Sequence, residues 1–302
     1  MTRVRVRVAV PASVANLGPG FDILALAVQL QNEVSCEQRD DDVVTVDPGD
    51  VADDELRDPA RNLVTRSYLH ACAVLGISDV GASFHCVNRI PFGRGLGSSA
   101  AAALSGVLVA AALHRAPWDE QAVLDHVAEL EGHRDNAAAA LLGGLAICAP
   151  GAPAVQLSVP DELRVVVFAP DSQMPTREAR QVVPHEFSRS DAVFNASRCA
   201  LLVRALALRD WATLGPAMED RWHQPPRSAL MPALLPMIEA ARAAGAAGAA
   251  LAGAGPSVAA LTVRDHDAVG AAMQRAAADH RVGGTVLTLS PRNFGARVDL
   301  RP

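Results

Sequence analysis

The chain has 302 residues, 50% of them hydrophobic and 20% charged, with 22 glycines and 20 prolines. At about 150 residues per domain this suggests two packed domains with a sizeable core, and it excludes a disordered chain. Basic residues number 27 and acidic ones 33, giving a net charge of −6, which argues against binding nucleic acid through a general phosphate field.

In chain order, residues 3–10 alternate with Val4, Val6, Val8 and Val10 on one face and predict a strand. Residues 11–22, PASVANLGPGFD, read as a loop rich in glycine and proline that presents Asn16 and Asp22. A short strand at 43–46 sits in an acidic surface region, and 62–75 predicts a helix with Val64, Tyr68, Cys72 and Leu75 on one face. Residues 81–90 predict a strand, followed by a glycine-rich turn and an Ala/Leu helix over 98–114. A further helix runs over 119–131, and an alanine-rich one follows the sequence EGHRDN (131–136). Strands are expected at 145–147 and 164–168, then helices at 191–208 and 231–244. The remaining elements are a Gly-Pro turn leading into a strand within 249–263, a helix at 265–278 and a strand at 285–289. Strands and helices mix without regular βαβ alternation, so the expected class is α+β. A domain boundary is placed within 151–160, dividing the chain into 1–155 and 156–302.

The most informative stretch is PFGRGLGSSAA (91–101). Three alternating glycines let the backbone approach an anion, and the amides opening the following helix point at it with a favourable dipole. Ser98 and Ser99 can cap that helix or offer oxygen to phosphate or a metal. An ordinary serine-capped glycine turn is the plainer alternative. All 27 basic residues are arginine, with no lysine anywhere, so a Walker A lysine, a Schiff-base lysine and a lysine general base are excluded. The stretch Gly95-x-Gly97-x-x-Ala100 also fits a dinucleotide fingerprint. That reading needs a second strand ending in an acid about 20 residues on, whereas residues 117–120 open another helix.

The five cysteines, Cys36, Cys72, Cys86, Cys148 and Cys199, form no C-x-x-C pair and are odd in number, which predicts buried free thiols rather than a zinc site or disulfides. The first ten residues alternate Arg and Val, unlike a signal peptide. The apolar run at 100–113 falls short of the roughly 18–20 residues of a membrane span. A cytoplasmic protein with no membrane partner is expected.

Taken in order, PASVANLGPGFD, PFGRGLGSSAA, EGHRDN and GAGPS (253–257) resemble the GHMP small-molecule kinases, and within them the homoserine kinase subfamily most closely. TREAR (176–180) and EDRWHQPPR (219–227) point the same way. The resemblance implies two α+β domains with the active site in the cleft between them. It implies ATP-dependent phosphorylation of the side-chain hydroxyl of L-homoserine in threonine biosynthesis, with ATP and Mg2+ required, by a cytoplasmic homodimer. It further implies that Pro91, Phe92, Gly93, Arg94, Gly95, Leu96, Gly97, Ser98, Ser99, Ala100 and Ala101 form the ATP phosphate loop, with Asn62 near the adenine. Ser99 and Glu131 correspond to the Mg2+ ligands, with Glu129 close enough in sequence to compete. Asn16, Asp22, His133, Asn136, Arg180 and Arg227 correspond to the groups around homoserine, the arginines facing its carboxylate and Asp22 its ammonium. Asn16, Ser99, Glu131 and Asn136 are the residues expected to serve catalysis. Mevalonate kinases have an aspartate base where this chain has Asn136, so direct transfer without a carboxylate base is expected, and neighbouring Asp135 is expected to be structural. Arg134 stands where the family often has proline, and 137–140 is AAAA in place of the usual V-A-P. Both departures adjoin the substrate site. A kinase for another small amino or hydroxy acid, or a silent nucleotide-binding homologue, are the competing readings.

Overall fold

The structure is a computed structural model that describes residues 4–51, 53–117 and 119–301. Arg3, where the first strand was expected to begin, lies outside the described residues, as do Trp118 at the expected helix start and Met1, Thr2 and Pro302 at the ends of the expected domains. The first half comprises β1 (Arg5–Asn16), β2 (Gly20–Gln38), β3 (Val44–Asp47), α1 (Leu63–Val74), β4 (Ala82–Val87), α2 (Ser98–Leu113), α3 (Glu120–Glu131), α4 (Asp135–Leu142), β5 (Leu145–Ile147) and β6 (Val155–Leu157). The second comprises β7 (Arg164–Pro170), α5 (Thr176–Gln181), α6 (Arg189–Leu208), α7 (Trp211–Ala217), α8 (Gln224–Ser228), α9 (Leu234–Ala243), β8 (Gly248–Leu251), β9 (Val258–Thr262), α10 (His266–Asp279), β10 (Gly284–Leu289) and β11 (Arg297–Arg301).

One sheet runs in the order β11-β1-β2-β4-β3, with β5 and β6 attached to the early part of β2. The other is antiparallel throughout, in the order β10-β7-β9-β8. The expected boundary at 155/156 falls inside β6, which pairs with β5, and β11 returns to the first sheet beside β1.

The alternation at the start of β1 puts Val6, Val8 and Val10 in the core while Arg5 and Arg7 face solvent. From Pro11 onward the strand is buried on both faces, so its alternation stops although the strand does not. The expected loop at 11–22 is therefore corrected. It is the tip of the β1–β2 hairpin, with only the turn at 17–19 outside the strands. Register shifts at Pro11/Ala12 and Ala15/Asn16 absorb the proline and bend the tip toward the second half.

Helix α2 is apolar nearly all round and lies buried between α1, α3 and β1. Gly106 is what lets α1 approach, since a Cβ there would meet Val64 O at 2.1 Å. In β7 the odd residues Val165 and Val167 join the main core with α6 and α7. The even residues Val166 and Phe168 pack with α9 and α10. That double burial explains the unbroken VVVF run. No helix among the described residues is long and apolar enough to cross a membrane.

Candidate active site

Six segments converge on one cleft. They are the tip of the β1–β2 hairpin, the glycine bend at 93–100, the α3–α4 junction, α5, α8 and the turn at 253–254.

On the glycine side, Gly93, Gly95 and Gly97 all have positive φ, at 62°, 73° and 73°. A Cβ on Gly95 would lie 2.1 Å from Ala252 O, and one on Gly97 would lie 2.4 Å from Ser13 Oγ, so the bend needs glycine for both conformation and space. Gly97 is the N-cap of α2 and supplies no side-chain cap. The first helical bond is Ala101 N to Gly97 O, at 2.9 Å. The amides of Ser98, Ser99 and Ala100 therefore have no helical acceptor and carry the positive end of a 16-residue helix. Arg94 Nη1 and Ser98 Oγ are buried at the cleft without a hydrogen-bond partner among the described residues. Ser99 Oγ donates to Glu131 Oε1 at 2.8 Å, joining the start of α2 to the end of α3. Both are hard oxygen donors.

On the opposite side the charges are already paired. Asp22, with φ 60°, takes both terminal nitrogens of Arg180 at 3.0 and 2.6 Å. Arg227 is buried. Its Nε donates to Ala179 O at 2.9 Å, and its Nη1 reaches Gly253 O at 3.1 Å and His223 Nδ1 at 3.0 Å. Burial and the nearby Arg180 charge lower its pKa to about 10, leaving it cationic at neutral pH. His223 Nε2 contacts Gly18 O at 2.7 Å. Burial lowers the His223 pKa to about 4, so the ring is neutral, donating from Nε2 and accepting from Arg227 at Nδ1. Phe21 lies beneath both arginines, each guanidinium carbon 5.3 Å from its ring centre.

Between the two sides, Asn136 Oδ1 accepts from Ser13 Oγ at 2.9 Å. Asp135 is buried, and its Oδ1 accepts from His133 Nδ1 at 2.7 Å and from the Asn136 amide at 2.8 Å. Burial lowers the His133 pKa, but the hydrogen bond and charge of Asp135 outweigh it and the net shift is upward. An anion-accepting helix start, a carboxylate–hydroxyl pair and a zwitterion-sized charge set thus share one chamber.

Models of the GHMP kinases' N-terminal and C-terminal domains match residues 62–144 and 202–280. The chain is 39% identical over 296 residues to the homoserine kinase of Carboxydothermus hydrogenoformans, spanning 97% of this chain and 96% of that one. It is 41% identical over 266 residues to the homoserine kinase of Streptomyces coelicolor, spanning 86% and 85%. The crystal structure of homoserine kinase from Cytophaga hutchinsonii matches with a TM-score of 0.86 at 30% identity, covering 98% of this chain and 97% of that one. The chain belongs to the homoserine kinase branch of the GHMP kinase family. The α+β class and the family resemblance expected from the motifs both hold.

In this GHMP kinase the cleft is lined by Asn16, Asp22, Gly93, Arg94, Gly95, Gly97, Ser98, Ser99, Ala100, Glu131, His133, Asn136, Arg180 and Arg227 from the expected set. Pro91, Phe92, Leu96, Ala101 and Asn62 are not among its lining residues. Leu96 and Ala101 are buried supports, the Leu96 carbonyl accepting from Ser13 N at 3.1 Å. Asn62 caps α1, its Oδ1 accepting from Val64 N at 2.9 Å and its Nδ2 donating to Leu56 O at 2.8 Å. Asn16 is committed at both ends of its amide, to the Asp22 amide at 3.3 Å and to Gly253 O at 2.8 Å. It ties the hairpin tip to the 253 turn instead of presenting a free group. Asp22 and Arg180, expected to face opposite ends of a substrate, face each other. Sequence reasoning gave no role to Ser13, Phe21, Thr176, His223 or Gly253. The H-x-x-x-R spacing of His223 and Arg227, one helical turn, is the signal that could have found His223.

Proposed function

We propose that this cleft transfers the γ-phosphoryl group of ATP to the side-chain hydroxyl of L-homoserine, giving O-phospho-L-homoserine, directly and without a carboxylate base. The observation that carries this reading is the open N-terminus of α2, with its Ser99–Glu131 pair, facing Asp22, Arg180 and Arg227 across one chamber. The α2 amides and Arg94 hold the phosphates, where phosphoryl transfer is mostly positioning plus charge stabilisation. Ser99 and Glu131 suit Mg2+, which takes one or two carboxylates, hydroxyls and substrate phosphates. Bound there, Mg2+ supplies neutralisation of charge on the triphosphate.

The Asp22–Arg180 pair is more than a third exposed on either side, so it is worth no more than about 1 kcal/mol. A zwitterion can therefore exchange it, with the ammonium to Asp22 and the carboxylate to the Arg180 and Arg227 forks. Both ends of the amino acid are then anchored and its hydroxyl is left to point at the phosphates. Asn136, held by Ser13, orients that hydroxyl. It has no basicity, and the Asp135 carboxylate is engaged by His133 and the Asn136 amide.

The test is ADP release with homoserine, serine, threonine and mevalonate in parallel. Turnover strongest with homoserine is expected. Preference for another compound reassigns the substrate, and ATP binding without any turnover makes the chain a silent homologue. We also read the enzyme as a cytoplasmic homodimer serving threonine biosynthesis, for which light scattering should give twice the chain mass.

A further inference from the structure

Away from the cleft, α1 and α3 bring His70, His126 and Glu129 together, with one ligand-capable atom from each within 4.8 Å of the other two. We propose that these three side chains bind a borderline divalent transition cation, with Zn2+ the best fit, clamping α1 to α3. His126 and Glu129 are three residues apart on α3 and share one face. His70 comes from α1, its ring centre 4.8 Å from that of His126. His70 Nδ1 is a buried nitrogen with no hydrogen-bond partner among the described residues, a costly arrangement that a Lewis acid would relieve.

The chemistry selects the ion. Two imidazoles and one carboxylate suit Zn2+ and its transition-metal neighbours, whereas Mg2+ prefers oxygen alone. Glu129 is exposed while His126 is buried, so the site faces solvent, from which water would complete a tetrahedral set. It is separate from the Ser99–Glu131 pair, because two residues along a helix turn the side chain by about 200°. Glu131 faces Ser99 and Glu129 faces the histidines.

The experiment is titration of chelator-treated protein with Zn2+ by calorimetry and with Co2+ by visible absorption. Expected are one ion per chain, the ligand-field bands of low-coordinate cobalt, a rise in melting temperature with Zn2+, and no displacement by Mg2+. His70→Gln and Glu129→Gln, at the less buried positions, should keep the fold by circular dichroism and each weaken binding by at least about tenfold. Glu131→Gln should leave Zn2+ affinity unchanged. Absence of Zn2+ binding, binding that survives His70→Gln undiminished, or binding abolished by Glu131→Gln overturns the proposal.

Discussion

The two walls of the cleft are built on opposite plans. The glycine wall holds its donors open, with three α2 amides that have no helical acceptor, and with Arg94 Nη1 and Ser98 Oγ lacking a partner among the described residues. The charged wall leaves little unspent: Asp22 grips Arg180, and Arg227 is bound to two carbonyls and a histidine. The difference follows from the materials. Backbone amides are held by the fold at no cost in side-chain entropy and can wait for a triphosphate. The fully buried Arg227 guanidinium cannot stay unpaired without a large penalty, whereas Arg94 on the glycine wall is only half-buried. The glycine wall is thus pre-organised, whereas under the proposed function the charged wall must trade partners when its substrate arrives.

Substitutions can break this contrast. Gly95→Val is expected to act hardest, because its Cβ would collide with Ala252 O, 2.1 Å away, at a positive φ. Turnover should vanish, and thermal melts should show a loss of about 1–3 kcal/mol from overpacking. Glu131→Gln keeps the shape of the Ser99 pair while removing its charge. Initial rates should fall by about 10²–10³-fold in kcat, with an unchanged melting temperature. Near-normal turnover would place the metal elsewhere.

Arg227→Lys probes the other wall. A lysine cannot satisfy Ala179 O, Gly253 O and His223 from a rigid fork. Steady-state kinetics should show KM for homoserine rising about 10–100-fold while that for ATP stays within about twofold. Equal effects on both would erase the contrast.

The smallest effect is on stability against pH. The His223 pKa is lowered from 6.5 to about 4 by burial. The unfolded chain therefore binds the proton more readily, so stability is full above pH 6.5 and lost as pH falls toward 4. His133 has the opposite sign. Its pKa is raised, so its contribution is complete below its ordinary 6.5 and fades as pH rises through the folded value. Denaturation midpoints between pH 4 and 6.5 should drop toward acid in the wild type. A flat profile would mean that His223 is not held neutral.

The glycine wall was legible in the sequence because its chemistry is local, with strand, bend, serines and helix in continuous order. Ser99 and Glu131 are 32 residues apart, yet each sits at a helix end whose position the capping pattern reveals. Strand β2 escaped because its 19 residues serve β5 early and β4 late, switching burial pattern between the two. Strand β11 escaped because it is short and exposed along its length, although Val298 and Leu300 alternate with charges. The Asp22–Arg180 pair spans 158 residues, a partnership no local period encodes. The turn at 11–22 was misread for a related reason: glycine and proline usually punctuate, and here a register shift lets the strand continue past them.

One oxygen links the walls. Gly253 O accepts from both Asn16 and Arg227, while the neighbouring Ala252 carbonyl lies so close to Gly95 that no Cβ fits between them. Under the proposed function, a carboxylate that draws Arg227 toward it therefore acts on the same turn that packs against the glycine bend. Whatever effect one reactant has on the other's affinity through this oxygen must be returned by the same factor. Calorimetry of homoserine with and without a non-hydrolysable ATP analogue measures that factor.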